Sequence, residues 1–360
     1  MKPVTERKPL TNNIGWCDAT ANAVIGCTKW SPGCLNCYAE NTTPVRVLRA
    51  KGIETWGPKG IRHPVAALAE KARRLNKSCI CDQCRQTRAF HYLADPGQCG
   101  CGGTLRRIRL FANSNSDFLD KEWRPSVRAA LFETVFRNQN VDFLLSTKRP
   151  ENWHAMAIEA AEFADPDTAD WLEAWTDCVD MPDRGAVPQN VWAITSVENQ
   201  KCTERIDHLL RIPAVVRGLS MEPLLEYVTL YPWIMRELGL RAISAPQGIH
   251  WVIVGGESDQ PKSPARPCNV DWVRRIVRQC QAAKVPVYVK QLGDHCLDRN
   301  DAGFEGDKDD GWPMDTATEE TAVSGCQGDP VRILFKTKAG ADPAERPADL
   351  RVRQFPNFKP

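Results

Sequence analysis

The sequence contains no run of 18 apolar residues, which excludes a membrane-spanning helix on length alone. Its first 13 residues include no apolar core, so we expect no secretory signal. It has neither an internal repeat nor a low-complexity tract, and its net charge of +2 gives no global sign of nucleic-acid binding. These absences predict a globular protein of the cytoplasm that does not contact a membrane.

Cysteine, in contrast, is abundant, with 15 in 360 residues. Disulfides rarely persist in a reducing cytoplasm. Because many of these cysteines are grouped at short spacings, one group before residue 40 and another between residues 79 and 101, we expect metal sites rather than covalent cross-links.

Six short β-branched or aromatic runs recur along the chain, most of them without alternation, as in parallel strands that are buried on both faces. They are Ile108–Ala112, Val141–Leu145, Val191–Ile194, Val215–Leu219, Trp251–Val254 and Val285–Val289. Helical patterns at Pro125–Arg137 and Asp271–Ala283 lie between them. This rhythm of βα units predicts an α/β fold with a partial (β/α) barrel.

Polar or charged residues follow each of the six runs. They are found at 113–117, 146–149, 196–199, 220–222, 255–258 and 290–291. Since β/α barrels build their active sites at the carboxyl ends of the strands, we expect these residues to meet in one site.

The first cysteine group is Cys27, Cys34 and Cys37, in a loop rich in glycine and proline. A [4Fe–4S] cluster takes four ligands, so three thiolates would leave one iron open to an exogenous ligand. A zinc site and unligated thiols are the alternatives. Cys17 lies nearby but outside the motif.

The second group occupies an insertion at residues 78–104 that resembles a zinc ribbon. We choose Cys81, Cys84, Cys99 and Cys101 as ligands of a tetrahedral zinc ion, with Cys79 or His91 as substitutes. An auxiliary Fe–S cluster and no metal are the alternatives.

Basic residues surround this insertion, where nine Lys/Arg and three Asp/Glu lie between Glu70 and Arg109. Either they form a solvated basic face, or a metal-stabilised lobe next to the active site contacts a phosphate backbone. The residues concerned are Arg73, Arg74, Lys77, Arg85, Arg88, Arg106, Arg107 and Arg109.

Several sequence blocks, spread over most of the chain in a fixed order, resemble a family of phage-associated radical S-adenosylmethionine (SAM)-like proteins long known only as a domain of unknown function. The blocks include residues 15–20, 26–40, 146–151, 196–200, 222–225, 251–258, 265–267 and 290–293. The resemblance implies a partial (β/α) barrel of radical SAM type that uses a [4Fe–4S] cluster and SAM. The usual spacing in such enzymes is C-x3-C-x2-C, whereas the first gap here is six residues.

The resemblance also implies roles in SAM binding. Tyr38 is similar to the aromatic residue that meets adenine, and Gly255, Gly256 and Glu257 are similar to the motif that binds the SAM amino group, although that motif normally follows an earlier strand. The remaining candidates for the cofactor or for a substrate phosphate are Asn113, Lys148, Arg149, Ser196, Glu198, Glu222 and Lys290. No catalytic residue or hydrogen donor is assigned.

The predicted function is the generation of a 5′-deoxyadenosyl radical that modifies a nucleic-acid base or a modified nucleotide. The specific expectation is isomerisation of an amino-acid adduct on hypermodified thymine in phage DNA, with flavodoxin or ferredoxin as electron donor and the host cytoplasm as location. The alternatives are a radical SAM enzyme of lesion repair and a non-catalytic, zinc-dependent nucleic-acid-binding protein. The expected segments are 1–77 with the Fe–S loop, the insertion 78–104, the barrel remainder 105–297, an acidic flexible loop 298–330 and a C-terminal segment 331–360.

Overall fold

The structure is a computed structural model that describes residues 10, 12, 14–89, 97–178, 187–234, 248–298 and 331–356. Its helices are α1 (Thr43–Ala50), α2 (Ala67–Leu75), α3 (Pro125–Arg137), α4 (Trp153–Ala161), α5 (Pro166–Asp177), α6 (Glu204–Leu210), α7 (Tyr231–Ile234) and α8 (Val270–Ala282). Its strands are β1 (Ala19–Ala21), β2 (Val24–Ile25), β3 (His63–Pro64), β4 (Ser78–Cys81), β5 (Thr87–Ala89), β6 (Leu105–Arg106), β7 (Ile108–Ala112), β8 (Val141–Thr147), β9 (Val191–Ser196), β10 (Val216–Met221), β11 (Trp251–Gly255), β12 (Cys268–Asn269), β13 (Val287–Gln291), β14 (Cys296–Asp298) and β15 (Val331–Ile333).

Seven strands form one parallel sheet in the order β1-β7-β8-β9-β10-β11-β13, which is also their order in the chain. Helices connect several of these strands, and the sheet curves into half a barrel. This architecture confirms the predicted α/β class and all six predicted strands. The prediction missed β1, whose three residues are too few to show a pattern.

The two faces of the sheet have different cores. The outer face packs aliphatic residues of the strands against the helices. The inner face is aromatic, with Trp192 and Tyr288 both placed edge-on to Trp251. Phe355 of the C-terminal segment packs on Trp251 at 5.5 Å between ring centroids, and the Arg109 guanidinium lies 3.8 Å from its ring. The inner face is therefore filled below the site by rings, which makes it a packed floor rather than an open channel.

The insertion forms a separate three-stranded antiparallel sheet of order β5-β4-β6. It is attached through Asp18, a buried residue directly before β1, which contacts Arg85 at 2.6 Å, Arg106 at 2.6 Å and Arg109 at 3.6 Å. Since Asp18 and Arg109 lie at the amino ends of β1 and β7, the insertion adjoins the amino end of the main sheet. The expectation that it lies next to the active site is therefore wrong, because the five residues of β7 separate the two ends by about 16 Å.

Two predictions fall on residues outside the described ranges, namely the acidic loop and His91. Within the ranges that are described, none of the helices combines the length and apolar content that a membrane span requires.

Candidate functional site

A cavity of about 370 Å³ opens at the carboxyl ends of the parallel strands. Residues at or directly after the carboxyl ends of six of the seven strands of the main sheet contribute to its wall, as the polar strand ends predicted. Of the eleven candidates for the cofactor or a substrate phosphate, nine line it: Tyr38, Asn113, Lys148, Arg149, Ser196, Glu222, Gly256, Glu257 and Lys290. Glu198 and Gly255 lie outside this lining.

Cys27, Cys34 and Cys37 line the same cavity. They belong to residues 27–62, which we call the cysteine lobe and which covers the strand ends. Inside this lobe, Val45 and Leu48 of α1 pack with Trp56 against Cys27 and Cys37. Their three sulfurs do not all lie within 4.8 Å of one another. They are therefore spread more widely than the ligands of a single ion.

The strand ends hold the cysteine lobe by hydrogen bonds. The Ser31 hydroxyl donates to Glu198 at 2.8 Å, and the Asn36 amide donates to Glu257 at 2.9 Å. Arg149 donates to the Thr28 carbonyl at 2.7 Å. The lobe is thus fixed at points on both sides of Cys34, so the positions of the sulfurs depend on residues far away in sequence.

Glu198 is fully buried, and its carboxylate binds three side chains. It is ion-paired with Lys148 and with Arg205, the latter at 2.9 Å, in addition to the bond from Ser31. Burial alone would raise its pKa, but the charges of Lys148 and Arg205 outweigh burial and lower the pKa to about 2. A Cβ on Gly33 would lie 2.4 Å from the Glu198 carboxylate, so this contact requires glycine. Glu198 therefore positions the lobe and Lys148 rather than facing the cavity.

Every charged residue in the cavity wall has an opposite charge beside it. Asp117 binds Arg149 at 2.7 Å, Glu222 binds Lys290 at 2.9 Å, and the remaining two charges, Lys148 and Glu257, pair with residues behind the wall. Because the wall holds three acids and three bases in such pairs, its protein charges balance. The pairs order the wall and leave its neutral polar groups to contact a ligand.

The inner face of the sheet provides such neutral groups. Ser146, Ser196 and Ser220 lie on neighbouring strands β8, β9 and β10 and line the cavity, and we call them the serine layer. Their hydroxyls form no hydrogen bond to another described residue.

Asn113, at the end of β7, adds a donor to this layer. Its Oδ1 accepts from the Ala23 amide at 2.8 Å, which fixes the orientation of the side chain, while its buried Nδ2 has no partner among the described residues. Its backbone is in the left-handed region, with φ of 62°. A buried donor without a partner costs stability, so this one points to a ligand acceptor in the cavity.

Burial keeps two thiols of the cysteine lobe, Cys27 and Cys37, neutral when no metal is bound. Burial raises the pKa of Cys27 to about 12, against the opposing charge of Arg149, and burial also raises the pKa of Cys37. Since metals bind thiolate, ligation here would release protons, and the cations Lys148 and Arg149 would then balance the new negative charge.

The four-cysteine group, Cys81, Cys84, Cys99 and Cys101, is compact. Its sulfurs all lie within 4.8 Å of one another, with 3.5 Å from Cys81 to Cys101 and 3.7 Å from Cys84 to Cys99. The edge of a zinc tetrahedron with bonds of about 2.3 Å is about 3.8 Å. The group could therefore bind a metal ion, and it consists of the four cysteines predicted.

The neighbours of the four-cysteine group fit such a site. A Cβ on Gly103 would lie 2.6 Å from the Cys81 sulfur, which explains the glycine at that position. The substitute ligand Cys79 lies outside the group, since its sulfur faces the carbonyl oxygens of Arg88 and Ala89.

Half of the basic residues predicted around the insertion are bound to internal acids. Arg85, Arg106 and Arg109 surround Asp18, and Arg107 lies 3.7 Å from Asp142. Arg73, Arg74 and Lys77, on or just after α2, are exposed. The basic composition of this segment therefore serves mainly to attach the insertion to the sheet.

Sequence reasoning missed most of the charged partners. Asp117 was noted only as part of a strand-end run, and Arg205 and Asp18 were not recognised as pairing residues. The Arg266 guanidinium binds Glu257 at 2.6 Å and the Pro32 carbonyl at 2.8 Å. In the sequence, only the position of Arg266 within the block 265–267 indicated a role for it.

The chain was also compared with known proteins. No curated protein and no solved structure matches it. A family profile with the description "Protein of unknown function (DUF5131)" matches residues 11–341. That range includes both cysteine groups and all seven strands of the main sheet. Because the match covers most of the 360 residues, the chain belongs to the DUF5131 family.

Proposed function

We propose that this protein is a radical SAM enzyme that modifies a nucleic-acid base. One observation carries the proposal: three cysteines and nine candidate residues line the same cavity at the carboxyl ends of a parallel half-barrel. This end of a β/α sheet is where such folds build active sites.

The residues present fit a [4Fe–4S] cluster better than a single ion. The three sulfurs are spread too widely for one zinc ion, and they face a cavity with room for further ligand atoms. Three protein ligands would leave one iron for an exogenous ligand. The partnerless Asn113 amide and the serine layer supply hydrogen bonds that a polar ligand would need.

When bound, such a cluster and SAM supply one-electron cleavage of the sulfonium bond and a carbon radical that removes hydrogen from the substrate. The protein residues bind, orient and shield. Tyr38 stands beside Cys37 for contact with adenine, and Lys290, which lines the cavity and is ion-paired with Glu222, could exchange that partner for a ligand carboxylate. Glu198 holds Lys148 and the cysteine lobe in position.

The substrate that we propose is a base with an amino-acid adduct, as in hypermodified thymine of phage DNA, and the reaction is its isomerisation. The balanced wall charges and the serine layer support a substrate group that is polar and neutral, which describes a pyrimidine better than a phosphate. A small electron-transfer protein such as flavodoxin or ferredoxin would act as reductant.

In the insertion we propose a structural zinc ion, because all four protein ligands are present and a closed coordination shell has no catalytic position. Its location at the amino end of the sheet also makes it a poor candidate for an auxiliary cluster that acts on the substrate.

The test is release of 5′-deoxyadenosine from SAM by the anaerobically purified protein with dithionite. We expect release by the wild-type protein and none by Cys34→Ala. Cys178→Ala, which removes a buried thiol at the end of α5, is the matched control and should remain active. Protein that carries iron but forms no 5′-deoxyadenosine would contradict the proposal.

A further inference from the structure

The cysteine lobe carries exposed apolar side chains beside the cavity. Trp30 is 54% exposed, the highest value for any tryptophan in the described ranges, and Leu35 is 62% exposed. Exposing large apolar side chains to water is energetically unfavourable. Groups of such side chains near a site commonly mark a binding surface. This surface is independent of the cavity wall, since neither residue lines the cavity.

Trp30 is held in a fixed position. The Arg149 guanidinium lies 5.1 Å from its ring centroid, and Arg149 is itself fixed by Asp117 at 2.7 Å and by the Thr28 carbonyl. One face of the indole is therefore covered by a cation, while the exposed half of the side chain faces solvent. A rigid, half-covered ring of this kind is suited to stacking with another planar group.

The charge of the lobe indicates the chemistry of the partner. Residues 27–62 contain six Lys/Arg and two Asp/Glu. Both acids are already ion-paired, Glu40 with Lys29 and Glu54 with Arg49. Arg46, Lys51 and Lys59 are exposed and have no carboxylate partner within the described part of the chain. Three exposed cations without a carboxylate partner, in the same lobe as an exposed tryptophan, match a phosphate backbone with stacked bases.

We propose that the cysteine lobe, rather than the insertion, binds a single-stranded segment of nucleic acid, with a base stacked on Trp30 and phosphates near Arg46, Lys51 and Lys59. This inference rests on the proposed function in taking a nucleic-acid base as the substrate. It deepens that function, because the substrate is then a base within a polynucleotide and not a free nucleotide. The base next to the stacked one would enter the cavity above the serine layer.

The experiment measures fluorescence anisotropy of labelled oligonucleotides of about 12 nucleotides, with the metal-loaded full chain and without SAM. For a single strand, Trp30→Ala should weaken binding about fivefold to a hundredfold. Trp30→Phe should retain most of the affinity, which shows that the lobe is folded. Phe163→Ala, which removes an equally exposed aromatic ring after α4, is the matched control and should bind like the wild type.

Salt dependence tests the cations. The triple variant Arg46→Gln, Lys51→Gln, Lys59→Gln should reduce the slope of log affinity against log salt by about 2, at about 0.7 per phosphate. The control triple variant Arg73→Gln, Arg74→Gln, Lys77→Gln, near the insertion, should leave the slope unchanged. The opposite pattern would overturn the inference in favour of the insertion.

An abasic strand distinguishes the contribution of base stacking to the affinity from that of the phosphate charges. It should bind more weakly than the base-bearing strand and show no dependence on Trp30. If both strands bind equally well, the lobe recognises only negative charge, as on an acidic protein, and the inference is wrong. The two proposals can fail separately. If the oligonucleotides do not bind as expected, release of 5′-deoxyadenosine still supports the proposed function. If no 5′-deoxyadenosine is released, the binding results still support this inference.

Discussion

Asp18 and Asp142 lie at the same end of the sheet, and we predict opposite effects when each is replaced by asparagine. Asp18 is surrounded by Arg85, Arg106 and Arg109. Burial alone would raise its pKa, but a hydrogen bond from Arg106 and the charges of all three arginines hold the pKa well below its usual range. Removing one partner from a buried ion pair typically costs about 3–5 kcal/mol, and we expect Asp18→Asn to lose that much free energy of unfolding.

At Asp142, in contrast, burial has a larger effect on the pKa than the neighbouring arginines. Burial raises its pKa to about 6, and Arg107, at 3.7 Å, only partly opposes it. A carboxyl whose pKa is raised on folding stabilises the fold below its unfolded pKa, and this contribution is lost as pH rises through 6. Keeping the ionised form at neutral pH therefore costs about 3 kcal/mol, so Asp142→Asn should gain about 1–3 kcal/mol there.

Urea unfolding of the metal-loaded protein at pH 7.5 and pH 5 measures both effects. The gain from Asp142→Asn should fall to about half at pH 5, since much of the wild-type carboxyl is then protonated. The loss from Asp18→Asn should persist at both values, because its stabilisation disappears only as pH falls through a pKa well below 5. Amide exchange in β4 and β6 should also accelerate for Asp18→Asn. A change of stability in the same direction for both variants would contradict these roles of Asp18 and Asp142.

Three further predictions concern the proposed metal sites. Glu198→Gln leaves Lys148 and Arg205 without their buried carboxylate, so we expect a loss of about 3–5 kcal/mol in urea unfolding together with lower iron content. Gly33→Ala places a Cβ against Glu198 and should lower iron content at unchanged zinc content, whereas Gly100→Ala, whose Cβ would meet nothing within 4 Å, should lower neither. Cys99→Ser should abolish zinc binding and lower the thermal midpoint, and an unchanged midpoint with the zinc lost would show that the insertion does not need the metal.

The buried strands could be predicted because each is a continuous apolar run. Ile108–Ala112 and the helix Pro125–Arg137 have the predicted bounds, while β13 begins at Val287, two residues after the predicted start. The sequence also predicted that the polar residues at the strand ends meet in one site, since parallel strands place all their carboxyl ends on one side of the sheet. β1 could not be recognised from three residues of mixed character.

The polar contacts of the buried carboxylates could not be predicted, because they join residues far apart in the chain. Ser31 and Glu198 are 167 residues apart, and Asn36 and Glu257 are 221 apart. The location of the insertion, in contrast, was available from the sequence. β6 ends at Arg106 and β7 begins at Ile108, so the insertion must lead directly into the amino end of a barrel strand.

The most direct test of the central claim is the iron and zinc content of anaerobically purified wild-type protein, Cys34→Ala and Cys99→Ala, measured side by side. We expect about four irons and one zinc in the wild type. Cys34→Ala should lose the iron and keep the zinc, and Cys99→Ala should do the reverse. Wild-type protein that holds zinc but no iron, or iron that survives Cys34→Ala and is lost in Cys99→Ala, would contradict this claim.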